Sequence, residues 1–238
     1  MTPWQAGARG APVAQPDRRQ RRVPENPLAL AIAASLLVLL AACADFSQVP
    51  AARARRVDGA TAGLPAHADG EVQKLITAAD KARLDKYGDT RKAALAEARG
   101  GAPADVKLLD DLLAKPLVSF SDKDLTGNWQ CRTIKAGGLG PLVVYGWFKC
   151  KVTDDGSGWR LEKISGSQRT KGRFFDDGEK RAIYLGSAYV NNDPAKPYGK
   201  GPQTDQVGYA FRNSATEWRI EFPAPYYESK LDILQLKR

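Results

Sequence analysis

The sequence predicts an α+β protein in which short N-terminal helices pack on an antiparallel β-barrel of about eight strands. The hydrophobic period changes from helical spacing to a period of two near residue 117. After that point, turn-forming residues recur at short intervals between apolar runs. Short strands joined by tight turns must bury one face and protect their edges, and closure into an up-and-down barrel does both. A β-sandwich is the alternative arrangement.

Residues 1–42 are predicted to be a signal peptide that is removed from the mature protein. Residues 1–27 are polar and rich in Arg, whereas residues 28–42 form an uncharged run of Leu, Ala, Ile and Val with one Ser. A permanent transmembrane helix needs roughly 20 apolar residues, so this run is short for a span.

The apolar run ends in Leu40-Ala41-Ala42-Cys43, which resembles the bacterial lipobox. The resemblance implies that Cys43 is acylated and that the protein contacts a membrane through this lipid. In such lipoproteins an Asp directly after the Cys causes retention at the inner membrane, but this chain has Ala44. We therefore expect the mature protein at the periplasmic face of the outer membrane, with a secreted periplasmic form as the alternative.

Residues 43–70 are predicted to be a disordered tether between the lipid and the folded part. They are rich in Ala, Arg, Gly and Pro and lack sustained apolar periodicity. A flexible segment of this length has an end-to-end distance of about 30 Å. The folded part can therefore stand away from the membrane surface.

Three short helices are predicted within residues 71–116. Thr77 and Asp80 have capping-box spacing and begin the first helix. The second, Ala-rich helix stops at Gly100, and Pro103 suits the first turn of the third. Because each helix is too short to be stable alone, we expect their apolar faces to pack on the β part.

Residues 117–238 are predicted to form the barrel. Asp-Asp-Gly turns at 154–156 and 176–178 separate neighbouring strands. Gly127-Asn128-Trp129 resembles the Gly-x-Trp signature of lipocalin-like barrels, which implies the same eight-stranded fold. The predicted strands are 129–133, 142–152, 159–164, 169–175, 181–190, 207–211, 218–222 and 231–236.

The cysteines predict a disulfide bond. With Cys43 assigned to the lipid, Cys131 and Cys150 remain as a pair in an oxidising compartment, and they fall on adjacent predicted strands. We expect no metal site, because two cysteines and His67 in the tether cannot supply the four ligands of a zinc ion.

Charge and motifs argue against several classes of function. Of the net charge of +9, +6 lies after Cys43, where it is spread over helical and β segments. A nucleic-acid footprint instead needs basic residues clustered on one face. The sequence contains no nucleophile elbow, zinc-protease, phosphate-loop or dinucleotide motif. We therefore expect no nucleic-acid partner, no cofactor and no enzymatic activity. An unrecognised hydrolase that uses carboxylates such as Glu162, Glu221 or Glu228 is the alternative, which carboxylates clustered in a cleft would favour. Glu162 and Glu221 are expected to be outward-facing members of their strands.

Aromatic and polar residues mark two candidate binding segments. Residues 191–205 form a long loop without apolar periodicity, and such a loop is uncommon unless it is functional or disordered. Residues 223–230 place two tyrosines and a carboxylate beside a strand start, a combination that suits a glycan, a peptide or a partner surface. The candidate binding residues are Trp129, Tyr198, Tyr226, Tyr227 and Glu228.

The segment from about residue 72 to the C-terminus resembles an uncharacterised family of small secreted bacterial proteins, a domain of unknown function. The resemblance implies no activity. It is carried by Thr77-Ala-Ala-Asp80, Arg83-Leu84, Ser165-Gly-Ser-Gln168, Gly172-Arg173, Tyr184-Leu-Gly-Ser187 and, most specifically, Pro225-Tyr-Tyr-Glu-Ser-Lys-Leu-Asp232.

Two functional hypotheses follow. The first is a lipid-anchored binding module for a small apolar molecule, a glycan or a cell-wall fragment. The second is interaction with an envelope protein, such as inhibition of a hydrolase, by analogy with small secreted barrels. A large cavity would favour the first hypothesis, and a filled barrel with a protruding loop would favour the second.

Overall fold

A computed structural model describes residues 68–121 and 123–238. The predicted signal peptide, Cys43 and all but the end of the predicted tether lie outside these residues. None of the helices in the described ranges is long and apolar enough to cross a bilayer.

The described residues form four helices followed by nine strands. The helices are α1 (Ala68–Leu75), α2 (Ala78–Asp85), α3 (Tyr87–Ala98) and α4 (Pro103–Leu113). The strands are β1 (Gly127–Gly138), β2 (Leu142–Val144), β3 (Phe148–Asp154), β4 (Trp159–Lys163), β5 (Gln168–Asp176), β6 (Ala182–Val190), β7 (Asp205–Arg212), β8 (Glu217–Pro223) and β9 (Ser229–Lys237).

Eight of these strands close into an antiparallel barrel, which confirms the predicted fold class. Each strand from β3 to β8 pairs with the strand that follows it, β1 pairs with β3, and β9 pairs with β1 to close the barrel. The run 142–152, predicted as one strand, is two strands. Its first part, β2, pairs with the later half of β1, and its second part, β3, pairs with the earlier half.

One end of the barrel, here called the packed end, is filled by apolar side chains. Trp129 and Trp218 meet edge to face with ring centroids 5.8 Å apart. Phe120 and Leu125, from the segment that precedes β1, also belong to this cluster and cover it. The burial of large aromatic side chains in this cluster is a main source of the fold's stability.

The disulfide between Cys131 and Cys150 is present, as predicted. It joins the neighbouring strands β1 and β3, with Cα atoms 5.9 Å apart, and both cysteines are buried in the packed end. The bond therefore fixes the first two strands of the closed barrel to each other.

The helices cover part of the outside of the barrel. Ala94 and Ala98 of α3 and Leu109 of α4 pack with Ile134 and Ile233, which point outward from β1 and β9. A second outer cluster joins α1 and α2 to β6 and β7; it contains Val72, Leu84, Ile183, Leu185, Val207 and Phe175. The barrel therefore has apolar side chains on both faces where helices cover it.

The helix starts agree with the sequence in two cases. Thr77 caps α2, and its hydroxyl accepts a hydrogen bond from the Asp80 N–H at 3.2 Å. Pro103 opens α4. The sequence did not predict α1. The sequence favours Asp89 or Thr90 as the cap of the Ala-rich helix, with Gly88 between two helices. This start is too late, because α3 begins at Tyr87 and Gly88 lies inside it.

Candidate functional site

The end of the barrel opposite the packed end contains a cavity of about 540 Å³. Three loops surround its mouth: the β4–β5 loop (164–167), the β6–β7 loop (191–204) and the β8–β9 loop (224–228). We call this end the open end and these segments the rim loops. Small-molecule sites in proteins commonly have volumes of about 300–1,000 Å³.

The wall of the cavity is made by inward-facing strand residues of mixed polarity. Thr133, Thr170 and Ala188 contribute small or polar groups, and Phe222 and Leu234 contribute apolar surface. The Thr170 Oγ1 and the Tyr184 Oη share a hydrogen bond of 2.7 Å beneath this wall. The lining can therefore contact both the apolar body and the polar groups of a ligand.

Tyr184 lies close to two paired glycines. Gly172 of β5 faces Gly186 of β6, and a β-carbon at either position would come within 2.6 Å of the Tyr184 ring. Glycine allows this close approach because it carries no side chain. The paired glycines thus make room for the buried tyrosine that supports Thr170.

Lys135 on one side of the cavity is paired with carboxylates. Its Nζ donates to Glu228 Oε2 at 2.7 Å and lies 3.8 Å from Asp232 Oδ2. Burial alone would lower the pKa of Lys135, but the attraction of Asp232 and Glu228 outweighs it and leaves the pKa raised. This lysine is therefore charged and neutralised by its neighbours.

The two carboxylates around Lys135 are shifted in opposite directions. Burial raises the pKa of Asp232. The positive charge of Lys135 lowers this pKa, but its effect is smaller than that of burial. The hydrogen bond from Lys135 lowers the pKa of Glu228, which lies nearer the solvent. Glu228 is therefore the carboxylate that remains ionised over the wider range of pH.

Lys163, which also lines the cavity, has a different environment. It is 4% exposed, its Nζ donates to the carbonyl oxygen of Gln168 at 2.6 Å, and it lies 4.3 Å from the centroid of the Phe148 ring. Among the described residues, no carboxylate lies within ion-pair distance of it. Burial, and then repulsion from Arg169 and Lys135, lowers the pKa of Lys163 to about 8.

The β8–β9 rim loop carries exposed aromatic rings. Tyr226 and Tyr227 are 54% and 59% exposed, and their ring centroids lie 4.6 Å apart in an edge-to-face arrangement. Exposed tyrosines are suited to binding because each ring offers apolar contact and a polar hydroxyl. These rings can contact a ligand as it enters the cavity.

The rim loops hold backbone conformations that L-residues rarely adopt. Asn191 has φ 52°, Ala224 has φ 44° and Glu228 has φ 71°, and these are the non-glycine residues with positive φ in the described part of the chain. All three belong to loops at the mouth of the cavity. Backbone strain of this kind often occurs at ligand sites, where the surrounding structure maintains it.

The β6–β7 rim loop is folded around a buried carboxylate. Asp205 accepts hydrogen bonds from the N–H groups of Gly199, Lys200 and Gly201, at 3.0–3.1 Å. These contacts fix the C-terminal part of the loop at the start of β7. The loop is therefore ordered by its own residues.

Helix α2 holds the same loop from outside. Tyr198 Oη donates to Asp80 Oδ2 at 2.7 Å, and Arg83 Nη1 donates to Asp80 at 2.8 Å and to the Asp205 carbonyl at 3.3 Å. Arg83 Nε also donates to the Pro223 carbonyl, at the end of β8. The helix thus fixes two of the three rim loops.

The structure places the predicted binding residues in three different settings. Tyr226, Tyr227 and Glu228 line the cavity. Tyr198 does not line it and instead holds a rim loop against α2. Trp129 lies in the packed end, 3% exposed, where its indole N–H donates to the Leu125 carbonyl at 2.8 Å, so this residue is part of the core.

Three ionisable residues of the cavity, Lys135, Lys163 and Asp232, were not identified from the sequence. The pattern did contain a signal, since Lys135 continues the inward alternation of Trp129 and Cys131 in β1. Lys163 continues that of Leu161 in β4. A charged residue at an inward position of an otherwise apolar strand face is the signal that would have found both lysines.

The described part of the chain contains no group of three or more His, Cys, Asp and Glu residues placed to hold a metal ion. The cavity instead offers ammonium, carboxylate and hydroxyl groups on a partly apolar wall. Such an arrangement can bind a small amphipathic molecule through apolar contact and a few directed polar bonds.

Comparison with known proteins identifies one family. The model of a domain of unknown function, DUF4893, matches residues 72–236, which include α2 to α4 and nearly all of the barrel. No curated protein and no solved structure matches the chain.

Proposed function

We propose that this chain, which belongs to the DUF4893 family, is a binding module that holds a small molecule in the cavity at the open end of its barrel. The family brings no activity with it, so the proposal depends on the site. Its ligand classes are a small apolar molecule, a glycan or a cell-wall fragment.

The observation that carries the proposal is the difference between the two ends of one barrel. The packed end is filled by aromatic and aliphatic side chains, whereas about 540 Å³ stays open at the other end. Protein interiors are normally packed as densely as organic crystals. The packed end shows that side chains can fill the interior of this barrel. A cavity of this size at its other end therefore supports a ligand site.

The rim supports the same conclusion. The exposed rings of Tyr226 and Tyr227 at the mouth suit stacking on a sugar ring or contact with an apolar molecule. The strained positions Ala224 and Glu228 lie on either side of these tyrosines. This loop conformation places the rings beside the cavity.

We further propose that the module works at the periplasmic face of the outer membrane, anchored by a lipid on Cys43, with a secreted periplasmic form as the alternative. The lipobox resemblance of Leu40-Ala41-Ala42-Cys43 supports the anchor. The Cys131–Cys150 disulfide supports an oxidising compartment, since disulfides are rare in reducing ones. The plausible ligands are then those that occur in the cell envelope.

Inhibition of an envelope hydrolase is the second candidate that the sequence left open. Such an inhibitor would use an ordered loop that projects from a filled barrel. The β6–β7 loop is held against α2 through Tyr198 and Asp80, and the barrel is not filled. These observations favour the small-molecule proposal.

A fluorescence titration with the uncharged probe N-phenyl-1-naphthylamine tests the proposal. The full chain carrying Cys43→Ser is used so that detergent, which would take up the probe, is not needed. Ala188 lines the cavity, so Ala188→Trp places a bulky indole inside it. Val143 is exposed on β2, outside the cavity lining, and Val143→Trp is the matched control.

We expect saturable probe binding to the parent chain and to Val143→Trp, and at least tenfold weaker binding to Ala188→Trp. Equal binding by all three chains would place the probe outside the cavity and contradict the proposal. No binding to the parent chain would also contradict it, because the cavity would then be closed to a molecule of suitable size.

A further inference from the structure

We propose that the ligand of this cavity is an organic monoanion whose charged head group binds to Lys163. This inference rests on the proposed function and narrows it, because it selects anionic amphipathic molecules over neutral ones. It follows from the distribution of charge around the cavity.

Lys163 has hydrogen-bonding capacity that the described residues do not use in full. Its side chain is buried at the cavity wall near the β4–β5 rim loop, and its Nζ uses one donor for the Gln168 carbonyl. An ammonium group has three donors. A second direction is occupied by the Phe148 ring, which cannot replace a counter-ion. The head group of a ligand can accept the remaining hydrogen bond.

Five cations line the cavity, and two of them are held in ion pairs. Arg169 and Lys196 have no ion pair among the described residues, but only Lys163 combines burial with the lack of a carboxylate partner. Lys135 is paired with Glu228 and Asp232, and Arg83 is paired with Asp80. Lys163 has no carboxylate partner among residues 68–121 and 123–238, and the charged groups that act on its pKa, Arg169 and Lys135, are both cations. The charge of Lys163 is therefore not balanced by an ion pair among the described residues.

The lack of a counter-ion at Lys163 costs free energy. A buried charge without a partner is unfavourable because it has lost its hydration. An anion that enters the cavity would restore the missing interaction without breaking an existing ion pair. Arg169, whose donors go to the Gly166 carbonyl and the Asn192 amide oxygen, would add to the attraction.

The depressed pKa of Lys163, about 8, is consistent with this account and predicts a pH dependence. Anion binding needs the protonated ammonium, which predominates below pH 8. Affinity for an anion should therefore be greatest below that pH and should fall as the pH rises through it. Affinity for a neutral molecule should not change over the same range.

Two related probes separate charge from apolar contact. 8-Anilinonaphthalene-1-sulfonate is N-phenyl-1-naphthylamine with an added sulfonate, so the pair differs in one anionic group. Both are titrated against the full Cys43→Ser chain and against Lys163→Met, which keeps the length of the side chain and removes its charge. Lys151 is exposed on the outer face of β3, and Lys151→Met makes the same change of net charge there.

We expect Lys163→Met to bind the sulfonate probe at least tenfold more weakly than the parent chain does. Its affinity for the neutral probe should stay within twofold of the affinity of the parent chain. Lys151→Met should match the parent chain for both probes. Lys163→Arg should keep the sulfonate affinity within about threefold, which would separate loss of charge from damage to the fold.

Unchanged sulfonate affinity in Lys163→Met would overturn the inference. If Ala188→Trp still blocked the neutral probe, the proposed function would stand and only the anionic preference would fail. Equal loss of both probes in Lys163→Met, with no rescue by Lys163→Arg, would also overturn the inference, because the lysine would then be required only for the shape of the cavity.

Discussion

Arg91 of α3 donates a hydrogen bond from Nε to Glu221 Oε2 of β8 across 2.8 Å, and Glu221 is fully buried beneath the helix. The same carboxylate accepts from Tyr87 Oη at 2.8 Å and, through its other oxygen, from Arg219 Nε at 2.8 Å. Burial and the neighbouring Glu221 raise the pKa of Tyr87, so its hydroxyl remains a donor. This network fastens the start of α3 to the outside of the barrel.

Glu221→Gln should lower the free energy of unfolding by about 3 kcal/mol, because it leaves two arginines beside a group without charge. Glu162→Gln is the matched control. That carboxylate is also outward-facing but lies at the surface, where its pair with Lys171 contributes less than about 1 kcal/mol. Urea unfolding of the two variants measures the difference. Equal losses in the free energy of unfolding would show that the buried network stabilises the fold no more than the surface pair does.

Removal of the disulfide should also destabilise the fold. The bond closes a loop with a sequence separation of 19 residues, which in the chain-entropy model corresponds to roughly 3 kcal/mol. The double variant Cys131→Ala and Cys150→Ala should therefore unfold at lower urea concentration than the oxidised parent chain. Alkylation without reductant, followed by mass spectrometry, should find both thiols of the parent chain blocked, and two free thiols would contradict the assignment.

The β6–β7 rim loop should loosen when its contact with α2 is removed. Tyr198→Phe deletes the hydroxyl that donates to Asp80, which should lower the free energy of opening the loop by about 1 kcal/mol. Trypsin should therefore cut after the exposed Lys200 roughly fivefold faster. Tyr145→Phe alters a surface tyrosine on another segment and should leave the rate unchanged. Equal rates in both variants would show that the contact does not hold the loop.

Alkaline pH should have the same effect as Tyr198→Phe. Burial, followed by the hydrogen bond to Asp80, raises the pKa of Tyr198 to about 12. A raised pKa favours the protonated tyrosine, so the stabilisation is complete below the ordinary pKa near 10 and is lost as the pH rises through 12. Hydrogen exchange in the loop should therefore be slow below pH 10, after correction for the intrinsic rate.

The proposed anchor gives a prediction about location. Cys43→Ser removes the thiol that would carry the lipid. The variant should lose incorporation of labelled fatty acid and move from the membrane fraction to the soluble periplasmic fraction. Unchanged fractionation with the membrane would contradict the anchor.

The barrel itself could be predicted because its signal is local. Inward alternation in segments such as 129–133 and turn residues such as Asp155-Gly156 recur along the chain. A disulfide followed from placing Cys131 and Cys150 on adjacent strands. The break between β2 and β3 could not be predicted from alternation. The apolar residues Leu142 and Val144 of β2 and Phe148 and Cys150 of β3 all fall on even positions, so the sequence looks like one continuous strand.

The covered outer face was harder to predict. Glu221 does point outward, as alternation indicates, but α3 lies over it, and a strand pattern alone cannot show which outward residues a helix covers. Ile183 and Leu185 illustrate the same difficulty. The alternation in residues 181–190 predicts both side chains on one face of the strand. This face packs against helices instead of the barrel interior.

The cavity could be predicted only in part. The tyrosines of the β8–β9 loop were found because aromatic residues in a polar loop stand out. Trp129 was selected for its chemistry, although an alternating strand places it in the core. Lys163 was missed because the importance of a buried lysine depends on which carboxylates lie nearby, and that information is not local in sequence.

Anomalous diffraction from crystals of the protein grown with 6-bromo-2-naphthoate would show where the barrel binds an aromatic anion. The bromine marks the position of an anionic aromatic molecule. We predict a bromine peak inside the cavity bounded by Thr133, Thr170 and Leu234, with the carboxylate against the Lys163 ammonium, and no such peak in crystals of Ala188→Trp. Bromine peaks confined to the outer surface of the barrel would contradict the account.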